Sequence, residues 1–362
     1  MLKCRWRSDH TVVKRVRVLI VGDSALLRRT LWEALASDPQ IEVMSAADNL
    51  LTASGRIRDP VPDVVVLHGG TRHGDGFAFL REAMAQRPIP VIVCATFAGE
   101  GADSALHALE SGAVGVVALP RSGAERFLRK SCNSLCRAVK AAATVKPRPG
   151  RLVEPSLAAG VLMEPGRDTA RPGGTRRVVL VGASTGGPEA LGVALTALPA
   201  ESPGLLIVQH MPAPFTAAFA RHLDGQCAIA VKEAENGEPV LPGQALVAPG
   251  DRHLLLKVSA GRYYAEVRNG PPVCRHRPSV DVLFRSGARY AGGDAVGVLL
   301  TGMGKDGARG LLELKRAGAA TIAQDESTSA VFGMPHAAIQ LGAAAQVHPL
   351  EKIAPAILEA CR

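Results

Sequence analysis

The sequence predicts an α/β protein made of two doubly wound parallel-sheet domains joined by a linker. Short β-branched runs alternate with helical patterns through the first part of the chain, and a second alternation of the same kind follows later. Between them lies a stretch rich in Pro, Gly and Arg without apolar periodicity, which is typical of a linker. We therefore predict domains at residues 16–142 and 176–362 and a linker at 143–175.

The first domain is predicted element by element from these alternating runs. Its strands are predicted at VRVLIVG, IEVMSAA, PDVVVLH, PVIVCAT and VGVVAL. Its helices are predicted at LLRRTLWEALAS, GFAFLREAMAQ, DSALHALESG and AERFLRKSCNSLCRAVKAA. Repeated βα units of this kind favour a parallel sheet with helices on both faces.

Composition excludes several classes of function. The seven cysteines are an odd number and include no CxxC pair, which indicates a reducing cytosol and no zinc site. We expect no other metal site. The net charge is +9, but only 4% of residues are aromatic, so we expect no nucleic-acid partner. The basic N-terminal stretch lacks an apolar core and no apolar run approaches a membrane span, so we expect neither a signal peptide nor membrane insertion.

The stretch VVLVGASTGGPEAL opens the second domain with a buried strand that ends in a glycine turn carrying Ser184. A dinucleotide fingerprint is disfavoured because Ser184 replaces its middle glycine and the next strand ends in Gln209-His210 instead of an acid. A phosphate-binding P-loop lacks its Gly-Lys-Ser/Thr. The G-x-S-x-G pattern instead favours a nucleophile elbow, and we expect no cofactor. A purely structural glycine turn is the remaining alternative.

Two further strand ends carry the partners that a serine nucleophile needs. GLLIVQHMP is a strand followed by His210, and AVGVLLTGMGKDGARGLLEL is a strand followed by a loop with Asp306. Carboxyl ends of parallel strands share one edge, so a nucleophile, a base and an orienting carboxylate are predicted to meet there. Weaker alternatives for the base or the acid are His222, His253, His276, His336, Asp251, Asp281 and Asp325.

The first domain resembles the receiver domains of two-component response regulators, on VLIVGDSALLRRTL, PDVVVLHGGTRHGDGFAFL, PVIVCATF and GAVGVVALP. The resemblance implies an acidic pair, an acceptor aspartate, a hydroxyl and a lysine that bind Mg²⁺ and a phosphoryl group. Only Asp23 and Thr96 match that set. Gly22 replaces one of the two metal-binding acidic residues, His68 replaces the acceptor aspartate and Leu119 replaces the lysine. We therefore predict that this domain takes no aspartyl phosphate.

The second domain resembles the catalytic domain of the chemotaxis protein-glutamate methylesterases, on VGASTGGPEAL, VQHMP, HRPSVDVLF, LLTGMGKDGARGL and FGMPHAAI. The resemblance places the nucleophile on Ser184, the base on His210 and the carboxylate on Asp306. It implies hydrolysis of glutamate methyl esters on the cytoplasmic helices of chemoreceptors. Deamidation of receptor glutamines and association with a histidine-kinase array are further options that the sequence does not decide.

The same resemblance leaves two points open. Main-chain N–H groups near Thr185, Gly186 and Met303 are the candidates for the oxyanion hole, and the sequence does not choose among them. The alternative function is a non-catalytic regulatory or docking protein of a chemosensory array, because the first domain has lost its chemistry. The intact Ser184, His210 and Asp306 favour the enzyme.

Overall fold

The computed structural model of the protein describes residues 15–48, 61–68, 89–96, 113–119, 124–145 and 177–362. These ranges form two parallel sheets and one small antiparallel sheet. The predicted fold class is confirmed in both parallel sheets, whereas most of the predicted linker lies outside the described residues.

The first sheet contains five parallel strands in the order β2-β1-β3-β4-β5. This order is one of the two common doubly wound arrangements. The apolar runs predicted as strands all form strands. The inner strands β1 and β3 are mostly buried within the sheet, whereas the edge strand β2 is only partly buried. Their bounds are β1 Val16–Gly22, β2 Ile41–Ala47, β3 Val64–His68, β4 Val91–Thr96 and β5 Gly115–Leu119.

Two described helices cover one face of this sheet. Helix α1 spans Ala25–Ala36 and begins at Ser24, whose hydroxyl accepts a hydrogen bond from the amide of Leu27. Helix α2 spans Ala124–Ala142, as predicted. Both contribute buried apolar side chains to one core cluster with the sheet. The helices predicted at GFAFLREAMAQ and DSALHALESG lie outside the described residues.

The second sheet contains seven parallel strands in the order β15-β14-β13-β6-β7-β10-β8. Its central strands are continuously buried, which explains why the sequence shows them as unbroken apolar runs. Their bounds are β6 Val178–Ala183, β7 Gly204–Gln209, β8 Ala230–Glu233, β10 Gln244–Val247, β13 Ala295–Leu299, β14 Ala320–Gln324 and β15 Gln346–His348.

Helices pack on both faces of the second sheet. One face is covered by α3 Gly187–Thr196, α4 Ala213–Asp224 and α8 Ile353–Ala360. The other is covered by α5 Val280–Tyr290, α6 Ala308–Arg316 and α7 Met334–Gln340. Alternate residues of β6 enter the two cores, with Val179 and Val181 on one side and Val178 and Leu180 on the other.

The predicted alternation is wrong between α4 and α5. The chain there forms β9 Glu238–Pro239, β11 His253–Ser259 and β12 Arg262–Arg268, which make an antiparallel sheet in the order β11-β12-β9. The turn between β11 and β12 is Ala260-Gly261, and both residues have positive φ. Two positive φ angles are what a two-residue hairpin turn requires, and Ala-Gly is a weaker signal for it than Asn-Gly.

The topology places a crevice at the carboxyl end of β6. From β6 the chain moves to β7 on one side, and β13 later joins on the other side. A reversal of this kind is where doubly wound sheets bind ligands. Within the described part of the chain, no helix combines the length and apolar character needed to cross a membrane.

Candidate active site

Ser184 is the first residue after β6, and its main chain is held on both sides. Its amide donates to the carbonyl of Thr301 at 3.0 Å. Its carbonyl accepts from the amide of Gly187 at 2.8 Å and from Nε2 of Gln209 at 2.9 Å. These bonds use only backbone atoms of Ser184, so its hydroxyl takes no part in holding the turn.

The turn that carries Ser184 requires glycine at position 186. Gly186 has φ +76°, a left-handed conformation that side chains disfavour. A Cβ there would also approach the Cβ of Ala330 to 2.4 Å. Helix α3 begins at the next residue, with Pro188 in its first turn. The positive end of this helix is therefore presented beside Ser184.

Neutral side chains tie the three loops of this edge together. The Thr301 hydroxyl donates to the carbonyl of Thr185 at 3.0 Å and accepts from the amide of Val331 at 2.9 Å. Gln324, the last residue of β14, accepts from the amide of Thr301 at 2.8 Å. Gln209, the last residue of β7, instead donates from its Nε2 to the carbonyl of Ser184 at 2.9 Å. Buried amides and hydroxyls thus satisfy the backbone where the strands end.

His210 follows β7 and lies against Asp306. The main-chain N–H of His210 donates to the carbonyl of Ala183 at 3.1 Å, which places His210 beside the turn that carries Ser184. Its ring Nε2 lies 2.8 Å from Oδ2 of Asp306. The other ring nitrogen, Nδ1, is buried and has no hydrogen-bond partner among the described residues. Nδ1 is therefore the nitrogen available to take a proton.

Asp306 follows β13 and is almost completely buried, with 1% of its surface exposed. Four donors converge on its two oxygens. Oδ2 accepts from His210 and from the amide of Val280 at 2.8 Å, and Oδ1 accepts from the Ser279 hydroxyl at 2.8 Å and the Asp281 amide at 3.1 Å. The carboxylate thus sits on the N-terminus of α5, where a negative charge is stabilised.

Burial and hydrogen bonding act on Asp306 in opposite directions. Desolvation by itself raises the pKa of the carboxyl, whereas the hydrogen bond and charge of His210 and the amides of Val280 and Asp281 lower it. The net pKa lies below its ordinary value. Asp306 is therefore ionised at neutral pH and can orient the imidazole and balance a charge on it.

The candidate oxyanion donors differ in what they contact. The Ser184 amide is already bonded to Thr301. The Gly186 amide makes a long contact of 3.4 Å with the carbonyl of Val114, which precedes β5 in the first domain. Among the described residues, the amides of Thr185 and Met303 make no hydrogen bond. The amides of Thr185 and Met303 therefore stay the predicted donors for an oxyanion.

The first domain contacts the loops at the Ser184 edge of the second sheet at more than one point. Val114 of the first domain packs with Val331, with Ala330 beside them, and Val145, which lies just after the first domain in the predicted linker, joins the same cluster. Arg137 of α2 is close enough for its charge to affect His276. The first domain therefore lies over the loops that surround Ser184.

The structure describes three of the positions that the sequence predicts for phosphoryl transfer in the first domain, Gly22, His68 and Leu119. Gly22 pairs with His68 across β1 and β3, and a Cβ on Gly22 would lie 2.6 Å from the His68 carbonyl oxygen. The His68 ring is mostly buried, and burial lowers its pKa against the effect of Asp23, whose carboxylate lies 3.9 Å away. The Leu119 side chain is buried in the core. Thr96 ends β4, and its side chain lies outside the described part.

Most of the alternative acids and bases are engaged elsewhere. His253 bonds the carbonyl of Pro271, His222 bonds Gln226, and His336 packs beside Phe332. Asp325 accepts from Ser327 and Thr328. Asp251 is an exposed loop residue with positive φ. His276 is the exception, because its ring stacks on that of His210.

Asp281 supports the site from α5. Its Oδ1 accepts from the amide of Gly310 at 2.7 Å, which links α5 to α6. Asp281 also forms, with Cys274 and Asp306, a group spaced closely enough to hold a metal ion. The carboxylate oxygens of this group already accept hydrogen bonds from main-chain amides, Ser279, Cys274 and His210. Those bonds account for the cluster without an ion.

Comparison with known proteins gives a consistent result. The CheB methylesterase family model matches residues 179–357. The protein-glutamate methylesterase/protein-glutamine glutaminase 5 of Anaeromyxobacter dehalogenans is 59% identical over 97% of this chain and 98% of its own length. Enzyme 3 of the same name from Geobacter metallireducens is 52% identical over 96% of this chain and 100% of its own length.

A solved structure matches the second domain. The crystal structure of the Thermotoga maritima CheB methylesterase catalytic domain is 40% identical, with a TM-score of 0.50. The match covers 51% of this chain and 97% of that structure. The similarity therefore extends over the second parallel sheet and its surrounding helices.

Proposed function

Because the chain belongs to the CheB methylesterase family, we propose that it hydrolyses glutamate methyl esters on the cytoplasmic helices of chemoreceptors by means of Ser184, His210 and Asp306. The predicted enzyme class, a protein-glutamate methylesterase, is confirmed by this membership. The observation that carries the mechanism is the 2.8 Å bond between His210 and the buried Asp306 beside the Ser184 turn.

The proposed reaction proceeds through an acyl-enzyme. The Ser184 hydroxyl attacks the ester carbonyl carbon while Nδ1 of His210 takes its proton. The amides of Thr185 and Met303 stabilise the oxyanion of the tetrahedral intermediate. Methanol leaves with the proton from His210, and a water molecule then attacks the acyl group in the same way. The products are a glutamate side chain and free Ser184.

The same steps convert a glutamine side chain if ammonia leaves in place of methanol. The relatives' names include protein-glutamine glutaminase, and this supports deamidation as a second activity at the same site. A direct experiment incubates the purified chain with receptor-bearing membranes and follows methanol release together with the mass gain of about 1 Da per deamidated glutamine. Methanol release without any mass gain would restrict the chain to ester hydrolysis.

We propose that the partners are methyl-accepting chemoreceptors in the cytoplasm and, through them, a histidine-kinase array. Exposed basic side chains lie in the loop after Gly250, beside His276, in the loop that carries Asp306 and at the start of α6. They suit receptor helices that carry glutamates. The exposed residues are Arg252, Arg275, Lys305 and Arg309.

We further propose the domain limits 16–142 and 176–362 with a linker at 143–175. Limited proteolysis is expected to cleave first between residues 146 and 175, since that stretch has no periodic apolar residues to bury. The fragment that starts near Arg177 should stay folded, as measured by its thermal transition. First cleavage within α4 or the β11–β12 hairpin would contradict these limits.

The first domain is proposed to cover the site without responding to phosphorylation. In the family that the sequence resembles, the unphosphorylated receiver packs over the esterase site. Here the contacts of Val114 with Gly186 and Val331 support such a cover. The absence of an acid at position 22 and of a lysine at position 119 removes the phosphoryl chemistry.

Removing the first domain and supplying it with a phosphoryl donor should have different effects on the rate. Deleting the residues before Arg177 should raise methanol release, because the cover is removed. Acetyl phosphate with Mg²⁺ should leave the rate of the intact chain unchanged, and Gly22→Asp should not restore a response because the His68 carbonyl occupies the space that the Cβ needs. A several-fold stimulation of the intact chain by acetyl phosphate would show that the first domain still takes a phosphoryl group.

A further inference from the structure

The ring of His276 lies flat on the ring of His210. The two centroids are 3.8 Å apart and the planes differ by 1°. His276 bonds neither Ser184 nor Asp306 among the described contacts, so its relation to the site is through the face of the His210 imidazole. The two flat rings are therefore in van der Waals contact over their faces, and this contact restricts the orientation of both rings.

The chain presents His276 on a turn that is costly to form. Val273 and His276 pair as an antiparallel bridge, with hydrogen bonds of 3.0 and 2.8 Å between their main chains. The two residues between them, Cys274 and Arg275, both have positive φ, at 49° and 70°. Non-glycine residues persist in this conformation where the surrounding structure enforces it, and such positions cluster at functional sites.

The bond to Asp306 does not by itself fix the His210 ring. One hydrogen bond holds the Nε2 atom, but rotation about the Cβ–Cγ bond of histidine is intrinsically broad. A small rotation would move Nδ1, which has to meet the serine hydroxyl. A flat neighbour on the ring face limits this rotation, and His276 is that neighbour.

We propose that His276 is a positioning residue for ester hydrolysis, whose ring holds the His210 imidazole in the plane that directs Nε2 to Asp306 and Nδ1 to the nucleophile. The inference rests on the proposed function of Ser184 and His210.

The charge state of His276 suits this role. Burial first, and then the neighbouring charge of His210, lowers the pKa of His276 to about 4. Asp306 acts in the opposite direction, and Arg137 from the first domain lowers the pKa further. His276 is therefore neutral at neutral pH, and its ring can approach a charged His210 without repulsion.

The test compares three substitutions in the full chain: His276→Phe keeps a flat ring, His276→Leu keeps bulk without a ring, and His276→Ala removes both. The first readout is the rate at which a fluorophosphonate labels Ser184, which needs no receptor. In that reaction the serine oxygen bonds to phosphorus, fluoride leaves and His210 takes the proton. The second readout is kcat and KM for methanol release from receptor-bearing membranes.

The leucine and alanine variants are expected to lose about 10- to 100-fold in labelling rate and in kcat with little change in KM, since a misplaced reacting group costs up to about 100-fold. The phenylalanine variant should stay within about threefold of the unsubstituted chain, because it restores the flat face. Thermal unfolding of each variant identifies losses of activity that come from misfolding. If the alanine variant does not fold, the comparison of the leucine and phenylalanine variants, which are closest in size, tests the inference.

Several outcomes would overturn the inference. A leucine variant as active as the unsubstituted chain would show that the ring is not needed. A folded phenylalanine variant as slow as the leucine variant would assign the effect to the His276 nitrogens. A rise in KM at constant kcat would make His276 a receptor contact. Failure of the unsubstituted chain to be labelled at Ser184 would instead contradict the proposed function itself.

Discussion

Ser184→Ala is expected to lower methanol release from receptor-bearing membranes by a factor on the order of 10⁴ or more, because removing the nucleophile of a serine hydrolase leaves only binding and oxyanion stabilisation. The fold should be unaffected. Every hydrogen bond that holds the turn at Ser184 uses its main chain, and an alanine keeps the amide bond to Thr301 and the carbonyl bonds to Gly187 and Gln209.

The matched control is Ser259→Ala, at the exposed end of β11. It removes a hydroxyl of the same kind far along the chain from the three strand ends that form the site, and it should retain full methanol release. Thermal unfolding of both variants should match that of the unsubstituted chain. Substantial methanol release by a folded Ser184→Ala protein would assign the nucleophile to another residue.

Asp306→Asn is expected to reduce kcat by about 10³- to 10⁴-fold and to leave a measurable residual rate, because the carboxylate orients and balances His210 but does not itself attack. It should also lower the free energy of unfolding. Four donors point at the two oxygens of Asp306, and an asparagine NH₂ group must face at least one of them. An unmatched buried donor costs about 1–3 kcal/mol.

The stability effect of Asp306→Asn has a defined pH dependence. Because the pKa of folded Asp306 lies below its unfolded value of 3.8, ionised Asp306 stabilises the fold above that pH. This contribution is lost as the pH falls through the folded pKa. The difference in unfolding free energy between the two proteins, measured by urea denaturation, should therefore be constant near neutral pH and shrink in acid.

Asp251→Asn is the control for the effects of Asp306→Asn on activity and stability. Asp251 is an exposed loop carboxylate with φ 58°, and asparagine tolerates that conformation well. The variant should keep both its activity and its stability. A loss of activity at Asp251 as large as that at Asp306 would mean that the orienting acid has been assigned to the wrong residue.

The sequence alone predicts the strand ends well because buried parallel strands are unbroken apolar runs. The run before His210 ends at Gln209, where the structure also ends the strand, and the apolar run before Ser184 ends at Val181, two residues before the end of its strand at Ala183. The hairpin of β11 and β12 is missed because its two-residue turn is Ala-Gly, which lacks the strong signal of Asn-Gly. The sequence pattern there does not separate a hairpin from a further βα unit.

The residues that hold the site residues and their loops in place are harder to predict, because their contacts depend on which loops the fold brings together. HRPSVDVLF is recognisable as a motif, but only the structure shows that Ser279 and the start of α5 bind Asp306 and that His276 covers His210. The sequence does carry one signal for these contacts. Strands β7 and β14 are apolar runs that both end in glutamine, and those two amides, on Gln209 and Gln324, hold the loops above them.

The loops around Ser184 are held by uncharged side chains, and this determines how ionic strength acts on the enzyme. At about 0.1 M salt, interactions between exposed charges more than about 10 Å apart are largely screened, whereas buried groups are affected much less. The loops around Ser184 are held by buried amides and hydroxyls, so their geometry should be the same in dilute and concentrated buffer. Salt should then act on the encounter between the exposed arginines and an acidic receptor helix, so that its effect on kcat/KM reports receptor docking and leaves the acyl-transfer step untouched.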